Sequence, residues 1–147
     1  RDFVEMLYAK CIHSSQIAKT KDEFTRRQSE KHCVYCEGET TRTLNDMDTL
    51  HCVPLNYIYD CLKYGDYIAV VDVENGNEIY PCKSSYLSVQ LSMSKQTITK
   101  IMKADSKEAI DYVFDNVKNR DIVHDGYINY LSDELEDYFA KKKKGIV

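Results

Sequence analysis

The 147-residue chain contains no tryptophan, only two prolines and only five glycines. The glycines do not cluster into a loop that could cradle phosphates, which argues against nucleotide-dependent chemistry. No apolar run approaches the roughly 18 residues that a membrane-spanning helix needs. The first residues mix charged and apolar side chains and lack the apolar core of a secretory signal peptide. We therefore expect an intracellular protein, cytoplasmic or nuclear, that is not secreted and has no membrane partner.

The bulk composition is that of a globular protein, with 43% hydrophobic and 30% charged residues. The net charge of −4 argues mildly against a protein that coats nucleic acid, because nonspecific affinity comes from neutralised phosphates. The basic residues are nevertheless clustered, at Lys95, Lys100, Lys103 and Lys107 and at residues 141–144. A basic face on an acidic body is compatible with local contact to nucleic acid and also with an ordinary solvated surface.

The periodicity of apolar residues predicts a helical segment over residues 1–31 and an α+β domain over residues 32–147. An i, i+3, i+4 pattern typical of an amphipathic helix runs through Phe3, Val4, Leu7, Tyr8, Cys11 and Ile12. Residues 20–31 are polar apart from Phe24 and could be an exposed helical extension or a flexible connection. Within the second domain, residues 32–61 form a cysteine-rich loop.

A β-hairpin is predicted within residues 66–82, alone or as part of a small antiparallel sheet. Residues 67–73 are a β-prone run that resumes at residues 78–80, and Asn75-Gly76 between two such runs is a strong hairpin signal. Two C-terminal helices are predicted within residues 106–144. One carries the stripe Ala109, Ile110, Val113, Phe114 and Val117, and the other Tyr127, Ile128, Leu131, Leu135, Tyr138 and Phe139.

Residues 91–102 can be interpreted as the turn and second helix of a helix-turn-helix. Ser94 would be the N-cap, and Ile98, Ile101 and Met102 would share the packed face. Amide, hydroxyl and ammonium groups can reach base edges and phosphates in a major groove. The predicted nucleic-acid-binding residues are therefore Lys95, Gln96, Thr99, Lys100 and Lys103.

The same residues also fit a pair of strands. Val89, Leu91 and Met93 alternate with polar residues, as in a half-buried strand. Residues 97–104 would then form a neighbouring strand of an antiparallel sheet, and Asp105 or Ser106 would cap the next helix. The sequence leaves both interpretations open.

Four of the six cysteines lie in residues 32–61, and Cys33 and Cys36 have the spacing of a zinc knuckle. The predicted ligands of a structural zinc are Cys33, Cys36, Cys52 and Cys61, with His51 as a candidate in place of Cys52. The alternative is that these cysteines are free buried thiols. Disulfides are the minor option in a lysine-rich intracellular chain.

The knuckle followed by Thr-Leu-His-Cys-Val-Pro-Leu-Asn at residues 49–56 resembles the front half of HNH endonucleases, in a degenerate form. The resemblance implies that His51 would be the general base that activates water beside a divalent metal. Leu50 replaces the acidic residue of that family. Residues 70–103, as strand, polar turn, strand and helix-turn-helix, are similar to the small DNA-binding module attached to phage and intron homing nucleases.

Three functions follow from these patterns. The first is a small regulatory or accessory protein of phage or viral type that binds DNA or RNA through the helix-turn-helix, with a zinc knuckle that stabilises the preceding loop. The second is a viral protein-binding module, an inhibitor or assembly factor, in which tyrosines anchor a protein partner on an acidic α+β body. The third is a metal-dependent nuclease that uses His51.

Overall fold

The computed structural model describes residues 7–31, 33–73, 78–82 and 89–146. Within these ranges the chain has an α+β fold with one seven-stranded antiparallel sheet and four α-helices. The strands are β1 (Tyr8–Ile12), β2 (Thr40–Arg42), β3 (Leu50–Pro54), β4 (Tyr67–Asp72), β5 (Tyr80–Pro81), β6 (Leu91–Met93) and β7 (Lys95–Lys103). The helices are α1 (Lys21–Gln28), α2 (Lys107–Asn116), α3 (Arg120–Tyr127) and α4 (Asp133–Lys143). The predicted α+β class is confirmed.

The sheet has the strand order β2-β7-β4-β1-β3-β6-β5. In a flat sheet β7 and β3 would be about 14 Å apart, because adjacent strands are spaced by about 4.8 Å. The side-chain amide of Gln96 on β7 nevertheless donates a hydrogen bond of 2.8 Å to the carbonyl of His51 on β3. The sheet must therefore bend until these two strands approach each other, which gives it a concave face.

The two faces of the sheet bury different clusters. Strand β4 has four consecutive buried residues, as expected for a strand that is covered on both sides. Ile68 and Val70 of β4 pack towards the C-terminal helices. Ala69 and Val71 belong to the concave-face cluster, whose other buried members are Ile12, Tyr35, Leu50, Cys52, Met93 and Ile98.

Three aromatic side chains that are fully buried hold the helical layer together: Phe114 of α2, Tyr127 of α3 and Phe139 of α4. The ring centroids of Phe114 and Phe139 are 4.9 Å apart in an edge-on arrangement, and those of Tyr127 and Phe139 are 5.3 Å apart. The Tyr127 hydroxyl donates to the carbonyl of Ala104 at 2.6 Å, so its polar end is also satisfied. This cluster fixes the helices against the convex face of the sheet.

The helix-turn-helix prediction for residues 91–102 is wrong, because these residues belong to β6 and β7. The alternative prediction of strands is confirmed, and so is Ser106 as the N-cap of α2, where its hydroxyl accepts from the Ala109 amide. The helical spacing of apolar residues does not decide the structure here, because β2 and β4 pair with β7 on either side and provide hydrogen-bond partners for its backbone. Strands β6 and β7 do not pair with each other, however, because β6 lies between β3 and β5.

Two other predictions fail through strand pairing. Residues 8–12, predicted as helix, form the strand β1 between β3 and β4, whereas Phe3 and Val4 lie outside the described residues. The hairpin within residues 66–82 is not formed, since β4 has β7 and β1 as its neighbours and β5 pairs with β6. Its proposed turn at residues 74–77 lies outside the described residues. The helical alternative for residues 20–31 is confirmed by α1, which Thr20 caps.

The C-terminal region has three helices where two were predicted. The apolar stripe that predicted the second helix is divided at residues 128–132, where the chain leaves the α-helical conformation. The part before this break belongs to α3, which begins after the N-cap Asn119, and the part after it belongs to α4, which begins at Asp133. Position 126 within α3 requires a glycine, because a Cβ there would come within 2.4 Å of the Tyr59 Cβ. In the part of the chain that the structure describes, no helix has the length and apolar character needed to cross a membrane.

Candidate functional site

A cavity of about 340 Å³ lies beside the central strand β1, between β3 and residues 33–35. This volume is within the range of pockets that hold small ligands. Its lining combines apolar side chains with polar groups that converge from several elements: Lys10, Cys11, Ile12, Gln16, Cys33, Tyr35, Thr49, Leu50, His51, Cys52, Val53, Cys61, Tyr64 and Gln90. The cavity is the candidate functional site.

The amine of Lys10 is the distinctive feature of this cavity. Strand alternation places Lys10 on the same face of β1 as Ile12, so its side chain enters the concave face of the sheet. Its Nζ donates to the Tyr35 hydroxyl at 2.6 Å and to Oε1 of Gln96 at 3.1 Å. The same nitrogen lies 4.3 Å from the centroid of the Tyr35 ring. Because Tyr35 and Gln96 are almost fully buried, they hold the amine in a fixed position.

Burial lowers the pKa of Lys10 to about 8, because the charged form loses solvation by water. The thiols of Cys52, Cys33, Cys61 and Cys11 oppose this shift of the pKa only in part. Among the described residues, the groups that act on this pKa include no carboxylate. Roughly one-tenth of the Lys10 side chains are therefore neutral amines at pH 7, far more than for an ordinary lysine.

The neighbouring groups are held in their neutral forms. Burial raises the pKa of the Tyr35 hydroxyl well above its usual range. Burial also raises the pKa of the Cys52 thiol to about 12, although the nearby Lys10 charge acts in the opposite direction. The cavity thus contains a cation without a described anionic partner. A buried charge of this kind is costly unless it is compensated, so it favours a ligand of opposite charge.

Gly65 allows the segment that ends in Tyr64 to pass close to β1 at the edge of the cavity. A Cβ at this position would lie 2.3 Å from the carbonyl oxygen of Ile12. Since that contact is with backbone, no side-chain movement could relieve it. Glycine is therefore required there by close packing.

The predicted zinc site is not assembled. Cys33 lies beside the cavity with Cys52 and Cys61, whereas Cys36 packs in a separate small cluster with Phe24 of α1. The chain is extended here, and residues an odd number of positions apart on an extended chain point in opposite directions. In the described residues no three His, Cys, Asp or Glu side chains come together as metal ligands.

The cysteines near the cavity are free thiols, of which Cys52 and Cys61 are buried and Cys11 and Cys33 are half-buried. The Sγ atoms of Cys11 and Cys61 are 3.1 Å apart, and the Cys61 thiol also donates to the carbonyl of Ile58. His51, the candidate general base, has its Nε2 3.2 Å from the Thr49 hydroxyl. It therefore lies in the cavity wall without the metal group that the nuclease interpretation requires among the described residues.

The five predicted nucleic-acid-binding residues do not share one exposed face. Gln96 points inward and is 1% exposed. Lys100 forms an ion pair with Glu108 of α2 at 2.9 Å, and the Thr99 hydroxyl lies 3.4 Å from the Val70 carbonyl. Lys95 is half-buried and Lys103 is exposed. Strand β7 therefore places these residues on different sides.

Sequence reasoning missed Lys10 and Tyr35, and it gave Gln96 a different role. The signal at Lys10 is a charged residue between Tyr8 and Ile12 at a spacing of two, which places it on an inward face once residues 8–12 are recognised as a strand. Tyr35 had no such signal. Its side chain is brought to Lys10 by a single bridge between Ile17 and Tyr35.

Comparison of the chain with protein-family models, with curated proteins and with solved structures found no match. The strongest constraint is the Lys10 ammonium, whose two protein partners are both uncharged.

Proposed function

We propose that this protein binds a small organic anion in the cavity beside Lys10. The observation that carries the proposal is a positioned ammonium group in a cavity of ligand size, with no carboxylate among the described groups that act on it. Cavities that combine apolar walls with a few convergent polar groups and a shifted pKa are the usual places for ligands.

The hydrogen bonds of Lys10 support binding of an anion rather than a purely structural role. An ammonium group has three N–H donors, and two are directed to Tyr35 and Gln96. The third can serve an oxygen of a ligand in the cavity. Because the two buried partners already fix the amine, little conformational entropy is lost when the ligand binds.

Stabilisation by simple anions tests this proposal. Acetate, succinate and inorganic phosphate are titrated separately into the protein at pH 7 while the midpoint of thermal unfolding is measured. We expect at least one of them to raise the Tm of the wild type with increasing concentration, because a ligand that binds only the folded state stabilises it. Lys10→Met should abolish this rise.

The matched control for this experiment is Lys103→Met, which removes an exposed lysine from β7 and should retain the full rise in Tm. An equal rise in the wild type and in Lys10→Met would contradict the proposal. So would the lack of any rise with all three anions.

A protein partner is the second candidate function. Several large apolar side chains that do not line the cavity are exposed, with Met47 at 91% and Tyr80 at 56% of their surface, and Leu44 lies in the same loop as Met47. Exposed apolar groups and tyrosines are common anchors of protein interfaces. This candidate retains the acidic α+β body predicted from the sequence.

A loop variant distinguishes this second candidate. Leu44→Ser combined with Met47→Ser changes only exposed groups in the loop between β2 and β3, so the fold should retain its Tm. We expect cross-linking in extracts of the source cells to lose a specific protein partner in the double variant and to retain it in Lys103→Met. An identical cross-linking pattern in all three proteins would rule this loop out as an interface.

Nucleic-acid binding through a helix-turn-helix at residues 91–102 lacks its recognition helix, because β6 and β7 lie there. Zinc binding by the four predicted cysteines and cleavage by His51 likewise lack an assembled group of ligands among the described residues.

A further inference from the structure

We infer that Lys10 binds small oxo acids covalently, by forming an imine with the ligand's aldehyde or ketone carbon. This inference rests on the proposed anion site and specifies the class of ligand. An oxo acid offers a carboxylate that can pair with the Lys10 ammonium and a carbonyl carbon that the neutral form of the same amine can attack. One side chain in two protonation states thus serves both functional groups of the ligand.

Imine formation requires, first, an amine that is held in position beside the ligand. Lys10 is a lining residue of the cavity, so a molecule bound there lies beside its side chain. Tyr35 and Gln96 hold that nitrogen from the protein side at 2.6 and 3.1 Å. A fixed amine beside a bound carbonyl group converts a bimolecular reaction into an effectively intramolecular one.

Imine formation requires, second, that a significant fraction of the amine is neutral, because only the unprotonated nitrogen has a lone pair for attack. Burial produces this fraction at Lys10. The contrast with other lysines is sharp. Lys100 has an ion pair with Glu108, and Lys142 has ion pairs with Asp111 and Asp115, so the pKa values of both lysines are raised.

The Tyr35 hydroxyl is placed to relay protons during the reaction. The nitrogen lone pair forms the N–C bond while the carbonyl π electrons move to oxygen, and the proton released by nitrogen passes through the phenol to that oxygen. A second transfer through the phenol lets the hydroxyl group leave as water while the C=N bond forms. One water is released for each imine, and no oxidant or reductant is needed.

Reductive trapping with glyoxylate tests the inference. The full chain is incubated with glyoxylate at pH 7, reduced with borohydride, digested and analysed by mass spectrometry. Reduction converts the imine to a stable carboxymethyl-lysine, which distinguishes it from reversible adducts of the nearby thiols. We expect carboxymethylation at Lys10 to exceed that at exposed Lys103 by at least tenfold. At pH 7 a pKa of about 8 gives roughly 300 times the neutral fraction of an ordinary lysine, and the lower basicity of the amine offsets only part of that gain.

Two variants separate the roles of the side chains. Lys10→Arg replaces the amine with a guanidinium that cannot form an imine, so it should lose trapping at this position. Tyr35→Phe removes the relay and should slow trapping at Lys10 several-fold while shifting its pH profile. A merely structural role of Tyr35 would lower the Tm without changing the pH profile.

The outcomes distinguish this inference from the function on which it rests. Trapping spread evenly over the exposed lysines, together with a Tm rise that depends on Lys10, would overturn imine formation and leave anion binding intact. Even trapping without any rise in Tm would overturn both.

Discussion

Lys10→Met is expected to make the protein more stable at pH 7 than the wild type. Methionine fills similar space beside Tyr35 without a charge that must lose its solvation, and the loss of two hydrogen bonds offsets only part of this gain. The shift of the Lys10 pKa from 10.5 to about 8 corresponds to about 3 kcal/mol of destabilisation in the charged form. We expect the free energy of unfolding to rise by roughly 2 kcal/mol, measured by urea denaturation.

The lowered pKa of Lys10 also predicts how the stability difference between the wild type and Lys10→Met changes with pH. The folded state releases its Lys10 proton near pH 8 and the unfolded state near pH 10.5, so between these values the unfolded state binds more protons. Stability of the wild type relative to Lys10→Met should therefore increase with pH across this window. The two proteins are compared at each pH because thiols and phenols titrate in the same range. A variant that is less stable than the wild type at pH 7, or a constant difference, would contradict the buried-cation description.

Gln96→Leu is expected to destabilise the fold strongly, by about 2–4 kcal/mol in the free energy of unfolding. The side-chain amide of Gln96 donates to the His51 carbonyl, and its oxygen accepts from Lys10, so one residue joins β7 to β3 and β1. Leucine would leave a buried carbonyl and a buried ammonium without this partner. Urea denaturation measures the loss.

Thr99→Val is the matched control, since Thr99 lies on the same strand but is exposed and should cost less than about 0.5 kcal/mol. The double variant Lys10→Met with Gln96→Leu should be more stable than the sum of the separate effects implies, because the unpaired ammonium is then absent. If residues 91–102 formed a recognition helix, Gln96 and Thr99 would both face solvent, and neither Gln96→Leu nor Thr99→Val would affect stability. Equal, small effects would therefore contradict the inward position of Gln96.

Local patterns were sufficient for parts of this fold. Ser106 and the apolar stripe after it predict α2 because a cap and a 3.6-residue period are properties of one short segment. The period-2 alternation around Met93 likewise predicts a strand. At Tyr8, Cys11 and Ile12 the helical spacing is equally present, and only pairing of β1 with β3 and β4 decides the structure.

The candidate site could not be predicted because it is made by distant residues. Lys10, Tyr35 and Gln96 come from three parts of the chain, and the bond between Lys10 and Gln96 spans 86 positions. Local sequence patterns contain no information about contacts between residues that are so far apart in the chain. The cysteine pair shows the converse problem, since Cys33 and Cys36 are close in sequence but their side chains join different clusters.

Strand β2 also has a consequence for how the chain is made. In the described residues its only strand partner is β7, with Thr40 opposite Thr97, so the ribosome must add 57 further residues before that ladder can form. Until then the backbone groups of β2 lack their ladder partner. We expect the emerging polypeptide to need chaperone protection at this stage, and full-length protein to refold slowly after dilution from urea, as topologies with distant pairings do.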